Sequence, residues 1–136
     1  MQEQLNMVLR ILLALVLGGA VGYQRQWEGK GAGLRTHILI SVGSALFTVI
    51  SIYGFGEDPA RIASGIVAGI GFLGAGTIMK TEGGSVKGLT TAASIWITAA
   101  IGLAAGAGMT LIAAVATIVA LVVLFIRPPI LPHKDK

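Results

Sequence analysis

Residues 88–126 decide the fold; they read GLTTAASIWITAAIGLAAGAGMTLIAAVATIVALVVLFI and contain no charged residue. At about 1.5 Å per residue, one straight helix over this stretch would be nearly twice as long as a bilayer core of about 30 Å. The chain must therefore turn back, and Gly106-Ala107-Gly108 is where glycine permits a tight turn. The stretch predicts two membrane spans, over residues 89–105 and 109–126.

Three further apolar segments precede this stretch, and charged residues separate them from one another. The whole chain of 136 residues is 54% hydrophobic and 12% charged, whereas a soluble domain has about 25% charged residues. This composition indicates a membrane protein and argues against a soluble enzyme. The earlier spans are predicted at residues 7–23, 34–53 and 62–79.

The apolar segments predict an all-α, polytopic transmembrane helix bundle of about five helices. Lipid offers the backbone no hydrogen-bond partners, so each segment must be a helix or belong to a closed barrel. The alternation of apolar and polar residues that a barrel requires does not occur in the sequence. We expect residues 1–127 to form the transmembrane domain and residues 128–136 a short cytoplasmic tail.

The lysines and arginines predict the orientation of the bundle. Most of them fall after the first span, after the third span and in the tail, whereas Arg10 and Arg61 fall on the other side. The positive-inside rule then places the N-terminus outside and the C-terminus in the cytoplasm. The net charge of +4 is explained by contact with anionic lipid headgroups, so no nucleic acid partner is expected.

The third span carries small residues at helical spacing. Ser64, Ala68, Gly71 and Ala75 form one face, opposite a face of isoleucine and leucine. Small residues let helices approach closely in lipid, so we expect this span at the centre of the bundle and the fifth span at its periphery. The predicted packing or pore-lining residues are Ser64, Gly65, Ala68, Gly69, Gly71, Gly74, Ala75 and Gly76.

The side chains that could bind metal lie in the predicted loops. The chain has no cysteine, and no Asp or Glu falls within a predicted span, whereas intramembrane ion sites usually need a carboxylate. Glu28, Glu57 and Asp58 could gather hydrated Mg²⁺ at an entrance, or they could be ordinary solvated loop charges. No nucleophile with a base is visible, so the sequence predicts neither catalysis nor a cofactor. Any Mg²⁺ that the protein handles is expected to be its substrate or ligand.

An anion site is predicted where the second and fourth spans begin. Two helix N-termini would face the same membrane surface, with free N–H groups, hydroxyls and basic side chains nearby. Ordinary helix capping with arginines that reach lipid phosphate is the alternative interpretation. The residues of this anion or headgroup site are Arg25, Arg35, Thr36, Lys87, Thr90 and Thr91.

Four separated motifs resemble the MgtC/SapB family of bacterial inner-membrane proteins. They are GGAVGYQRQW from residue 18, AGLRT from residue 32, GIGFLGAG from residue 69 and GLTTAA from residue 88. The resemblance implies a multi-pass protein of the bacterial inner membrane, associated with magnesium limitation and acid tolerance. It covers about residues 12–108 and implies a short form without the soluble C-terminal domain of many relatives.

The resemblance implies two functions that the residues leave open. The first is transport of Mg²⁺ or another small ion, and the second is regulation without transport, through contacts with membrane proteins such as the ATP synthase. Five short helices enclose little, so we also expect a homo-oligomer. The chain departs from the family at Gln24, where relatives commonly have an acidic residue, and at Thr90, where some have Asn.

Overall fold

The computed structural model describes residues 1–56 and 58–127 as a bundle of five α-helices. A π-helical turn, Ser51–Phe55, extends the second helix. Two short strands, β1 and β2, pair antiparallel between the third and fourth helices, at Met79–Lys80 and Val86–Lys87. The helices are α1 (Gln2–Trp27), α2 (Leu34–Ile50), α3 (Pro59–Ala75), α4 (Leu89–Gly106) and α5 (Thr110–Phe125).

The predicted all-α architecture is confirmed, and three of the described helices are long and apolar enough to cross a membrane. These are α1, α2 with its π-helical extension, and α4. The apolar helices α3 and α5 have 17 and 16 residues, which at about 1.5 Å per residue fall slightly short of a bilayer core of about 30 Å. The orientation of the termini stays a prediction, and residues 128–136 lie outside the described residues.

The turn predicted between the last two spans is present. Helix α4 ends at Gly106, and α5 begins at Thr110. Gly108 has a φ of 80°, a left-handed conformation that side chains disfavour and glycine adopts freely. Arg10 of α1 closes this end of the bundle, since its Nη1 donates a hydrogen bond of 3.0 Å to the carbonyl of Gly106.

Helices α1, α2 and α4 form the core, and each of the three contacts the other two. A Cβ added at Gly18 of α1 would lie 2.5 Å from the Cβ of Ser41 in α2, and one at Gly106 of α4 would lie 2.6 Å from the carbonyl oxygen of Ala45. Glycines on both neighbours therefore bring the three helices into backbone contact around Ser41 and Ala45. Close contact of this kind is how helices associate in lipid.

The prediction that the third span is central is wrong. Helix α3 lies at the edge of the bundle against α4, and Gly74 is its one buried residue. Its isoleucine face turns toward α2, whereas Ser64, Ala68, Gly71 and Ala75 are exposed. The prediction failed because small residues show that a close contact is possible, and they do not show which helix makes it.

The predicted placement of the fifth span agrees with the structure. Helix α5 packs against α1 and α4 and exposes most of its large apolar side chains. Its inner face consists of small residues, with Ala113, Thr117 and Ala120 buried.

The basic residues concentrate at the end of the bundle where α1 and α5 end and α2 and α4 begin, which we call the basic end. Arg10 and Arg61 lie toward the opposite end, on the first half of α1 and the first turn of α3. This asymmetry is the one used to predict the orientation of the chain. The described basic side chains at the basic end are Arg25, Lys30, Arg35, Lys80, Lys87 and Arg127.

Candidate functional site

Arg25 is the central side chain of the basic end. It lies in the last turn of α1 and is 2% exposed. Its Nη2 donates a hydrogen bond of 3.0 Å to Oγ1 of Thr91 on α4, and its Nη1 lies 3.4 Å from Oε2 of Glu28. Its Nε has no partner among the described residues. The guanidinium group is therefore fixed at the junction of α1 and α4.

A cleft of about 870 Å³ opens beside Arg25. One wall consists of the start of α4, with Thr90 and Thr91, and of Lys87 at the end of β2. The opposite wall is apolar and comes from the end of α5, at Val123 and Leu124. We call this space the basic cleft, and its charged lining residues are Arg25, Glu28, Lys30, Lys87 and Arg127.

Arg35 and Thr36 do not line the basic cleft. They face a separate cavity of about 670 Å³, between the start of α2 and the end of α3. The structure thus brings together four of the six residues predicted for an anion site, namely Arg25, Lys87, Thr90 and Thr91. The other two lie at the same end of the bundle on a different face.

Local sequence positions the walls of the cleft. Gly88 precedes α4 with a φ of 91°, and a Cβ at this position would collide with the carbonyl oxygen of Thr77. Glycine at this position therefore lets the β1–β2 hairpin fold against the end of α3 and places Lys87 at the mouth of the cleft. On the other side, the side-chain oxygen of Gln26 accepts a hydrogen bond of 3.1 Å from the backbone N–H of Leu34, which caps the start of α2.

A row of buried polar side chains runs from the basic end into the core. His37, 0% exposed, donates from Nδ1 to the carbonyl of Gly33 at 2.9 Å, and its Nε2 lies 3.1 Å from Oγ of Ser94. The hydroxyl groups of Ser44 and Thr98 donate to backbone carbonyls at 2.6 and 2.7 Å. Most side chains of the row therefore have hydrogen-bond partners inside the protein, and some of these hydrogen bonds link α2 to α4.

The sequence interpretation missed most of this row. The predicted site residues do not include His37, Ser44 or Thr98, and the glycines of α1 and α4 were not identified as the helix contacts. The spacing of four residues in the Gly18–Gly22 and Gly102–Gly106 pairs was an available signal. The same spacing in the Gly65–Gly69 pair pointed to α3 instead.

The predicted metal candidates do not converge in the described structure. Glu28 lies in the basic cleft beside Arg25, and Asp58 precedes α3 at the opposite end. Glu57 lies outside the described residues. Within the described ranges, no three side chains of His, Cys, Asp or Glu come together in a group that could hold a metal ion.

The eight small residues predicted to pack or line a pore all lie on or just after α3. Within the chain, Gly74 contacts α4, where an added Cβ would lie 3.6 Å from the carbonyl oxygen of Ala92. Gly65 and Gly69 line a groove of about 520 Å³ between α2 and α3. Ser64, Ala68, Gly71, Ala75 and Gly76 are exposed. A packing or pore-lining role for the exposed residues stays a prediction that requires a surface outside this chain.

Comparison with known proteins agrees with the membrane architecture. The chain is 52% identical over 111 residues to "Putative magnesium transporter YhiD" of Escherichia coli, and this match covers 75% of the chain and 51% of that protein. It is 46% identical over 124 residues to MgtC of Salmonella typhimurium, covering 89% of the chain and 53% of the relative. MgtC of Brucella abortus is 52% identical over 106 residues, covering 77% and 44%.

The chain thus spans about half the length of the curated relatives it matches. No solved structure matches it. The sequence profile of the MgtC family matches residues 11–132, which include all of α2 to α5 and most of α1. This match covers most of the chain, and the protein belongs to the MgtC family.

Proposed function

We propose that this protein acts in magnesium homeostasis and acid tolerance as a regulator in the bacterial inner membrane. In this proposal it contacts other membrane proteins and does not conduct Mg²⁺ through its own helix bundle. Similarity to the Escherichia coli protein that is named as a magnesium transporter supports the connection with magnesium. The choice of regulation over transport depends on the packing of the core.

The close packing of α1, α2 and α4 carries the proposal. Glycines hold α2 in backbone contact with both neighbours at Ser41 and Ala45, so the core leaves no room for a hydrated ion between these helices. Mg²⁺ usually keeps several of its waters and binds carboxylates. The core instead contains hydroxyl groups, of which Ser44, Thr48 and Thr98 donate to backbone carbonyls.

The outward face of α3 supports contact with another protein. Ser64, Ala68, Gly71 and Ala75 are exposed at the edge of the bundle. Small residues at this spacing allow a second helix to approach closely and gain van der Waals contact that lipid tails cannot match. The second helix would come from a membrane protein such as a subunit of the ATP synthase, or from a second copy of this chain.

The same face supports a second candidate function. In a homo-oligomer, the outward faces of α3 from several copies could line a path for Mg²⁺ or another small ion between the copies. The hydroxyl of Ser64 and the backbone exposed at Gly71 would offer neutral polar groups to the water shell that a hydrated Mg²⁺ keeps.

Flux measurements separate the two functions. Proteoliposomes that contain this protein alone are loaded with a Mg²⁺-sensitive dye, and Mg²⁺ is added outside. We expect the same dye response as in liposomes without protein. A Mg²⁺ flux that Gly71→Leu abolishes would overturn the regulatory proposal and favour transport between copies.

Growth measurements test the regulatory function itself. In bacteria that depend on a plasmid copy of this protein under magnesium limitation or at acid pH, we expect Gly71→Leu to abolish the growth advantage. Val115→Leu is the control, because Val115 is exposed on α5 and also becomes leucine. Both variants must reach the wild-type level in the membrane. Unchanged growth with Gly71→Leu would contradict a contact through α3.

A further inference from the structure

The basic cleft combines a charged half with an apolar half. Its charged lining consists of four basic side chains and one carboxylate, that of Glu28, among the described residues. Its apolar wall is formed by the last turn of α5 and the residues after it, including Val123, Leu124 and Ile126. The excess positive charge attracts an anion, and the apolar wall favours a ligand that also has a hydrocarbon part.

The start of α4 adds hydrogen-bond donors to the cleft. Gly88, Leu89 and Thr90 line it, and the N-cap residue Gly88 has no side chain that could cap this helix end. The first backbone N–H groups of a helix have no partner within the helix and carry a partial positive charge. Helix N-termini of this kind commonly bind phosphate groups.

Arg25 provides independent evidence for a ligand. It is 2% exposed, lines the cleft, and its Nε has no partner in the described part of the chain. The carboxylate of Glu28 lies 3.4 Å from Nη1, longer than the 2.7–2.9 Å typical of a strong charge-assisted hydrogen bond. A buried cation that is compensated this weakly is costly unless a further anion lies close to it.

We propose that the basic cleft binds the phosphate group of an anionic phospholipid, whose glycerol and upper acyl chain lie against the end of α5. A basic cleft between transmembrane helices at the membrane surface is the kind of place where anionic headgroups bind. A free phosphate ion would use the charged half alone and leave the apolar wall uncovered. This inference goes beyond the proposed function, since either a regulator or a transporter could carry the site.

The test compares two double variants of the full chain that remove the same number of charges from the basic end. Lys87→Ala with Arg127→Ala removes two basic side chains that line the cleft. Lys80→Ala with Arg35→Ala is the matched control, because Lys80 lies on the partner strand of the same hairpin and Arg35 lines the other cavity. All four residues are exposed, so both variants should fold.

Native mass spectrometry of the protein in detergent measures the retention of phosphatidylglycerol and of phosphatidylcholine with the same acyl chains. We expect the cleft double variant to weaken phosphatidylglycerol retention about tenfold or more, because each basic residue near the surface adds to the attraction of anionic lipid. We expect less than about a twofold change for the control. If both double variants lost the same amount of phosphatidylglycerol retention, the lipid would be held by diffuse surface charge, and the proposal would be overturned.

Two further measurements test whether the cleft itself holds the lipid. Glu28→Gln removes the carboxylate from the cleft, and we expect it to strengthen phosphatidylglycerol retention, a direction that a loss of folding would not produce. Inorganic phosphate at millimolar concentration is expected not to displace the lipid. Displacement by phosphate alone, or equal retention of phosphatidylcholine, would overturn the assignment to an anionic phospholipid.

Discussion

Two of the glycine pairs with a spacing of four residues, one on α4 and one on α3, lie in opposite environments. Gly102 and Gly106 on α4 lie against the backbone of α2, where an added Cβ would collide with the carbonyl oxygen of Ser41 or lie 2.6 Å from that of Ala45. Gly65 and Gly69 on α3 line an open groove. A Cβ at either of them would meet no heavy atom of the described residues within 4 Å, apart from its own helix backbone.

The difference shows what the glycine spacing does and does not encode. Two glycines four residues apart create a flat strip on a helix and permit close approach. The partner is selected by the surface that faces the strip, and in α2 this surface carries Ser41 and Ala45, which are small enough to complete the contact. On α3 the inward residues beside the glycines are the large Ile62, Ile66 and Ile70, which hold the helix away from α2.

The largest expected effect is at the closed pair. We expect Gly102→Ala to lower the free energy of unfolding by about 3 kcal/mol, because the added methyl group must push α4 away from the backbone of α2. The measurement is titration with sodium dodecyl sulfate in mixed micelles, followed by circular dichroism. Gly43→Ala is the control, since Gly43 has open space around it within the described structure. Equal stability of the two variants would show that α2 and α4 are not in backbone contact.

The second prediction compares two adjacent glycines of α1, of which only Gly18 lies against the backbone region of α2 around Ser41. We expect Gly18→Ala to cost about 2 kcal/mol of unfolding free energy, since the new Cβ would lie 2.5 Å from the Cβ of Ser41. Gly19→Ala should change stability by less than about 0.5 kcal/mol, because its nearest neighbour is the flexible side chain of Ile38 at 3.6 Å. The same denaturant titration compares the two variants. If Gly19→Ala lost more unfolding free energy than Gly18→Ala, α2 would contact a different face of α1 from the one that carries Gly18.

The helices could be predicted from the sequence because lipid imposes them. Stretches such as residues 88–126 have one way to satisfy their backbone in a bilayer, and Gly106 to Gly108 fixed the turn. The ends were predicted less well. Helix α1 continues to Trp27 rather than ending at Tyr23, because Gln24 and Arg25 are buried through contacts with Leu124 and Thr91, far along the chain.

The candidate site was predicted in part for a related reason. The order of the spans alone places the ends of α1 and α5 and the start of α4 at one end of the bundle. Arg25, Lys87 and Thr91 could therefore be assigned to one site from the sequence. The rotation of each helix about its axis depends on packing with its neighbours, which spacing alone does not give. Arg35 therefore lies at the expected end and faces another cavity.

A third prediction concerns the polar contact between α2 and α4, where the effect is smaller. We expect Ser94→Ala to lower the unfolding free energy by about 1 kcal/mol, because Nε2 of the buried His37 loses its hydroxyl partner. This loss of unfolding free energy is smaller than that of Gly102→Ala, because Ser94→Ala does not push the backbones of α2 and α4 apart. Thr90→Ala serves as control, since Thr90 lies one turn earlier on α4 and is exposed. Equal losses at both positions would rule out a contribution from the His37 contact.

The smallest effect is expected at the open pair, and its sign is opposite. Gly65→Ala and Gly69→Ala should each raise the unfolding free energy by about 0.5 kcal/mol, because alanine restricts the unfolded chain and the groove has room for a methyl group. The double variant in the same detergent titration makes the gain measurable. A loss of stability comparable with that of Gly102→Ala would mean that α3 closes against α2 and that both glycine pairs serve the same kind of contact.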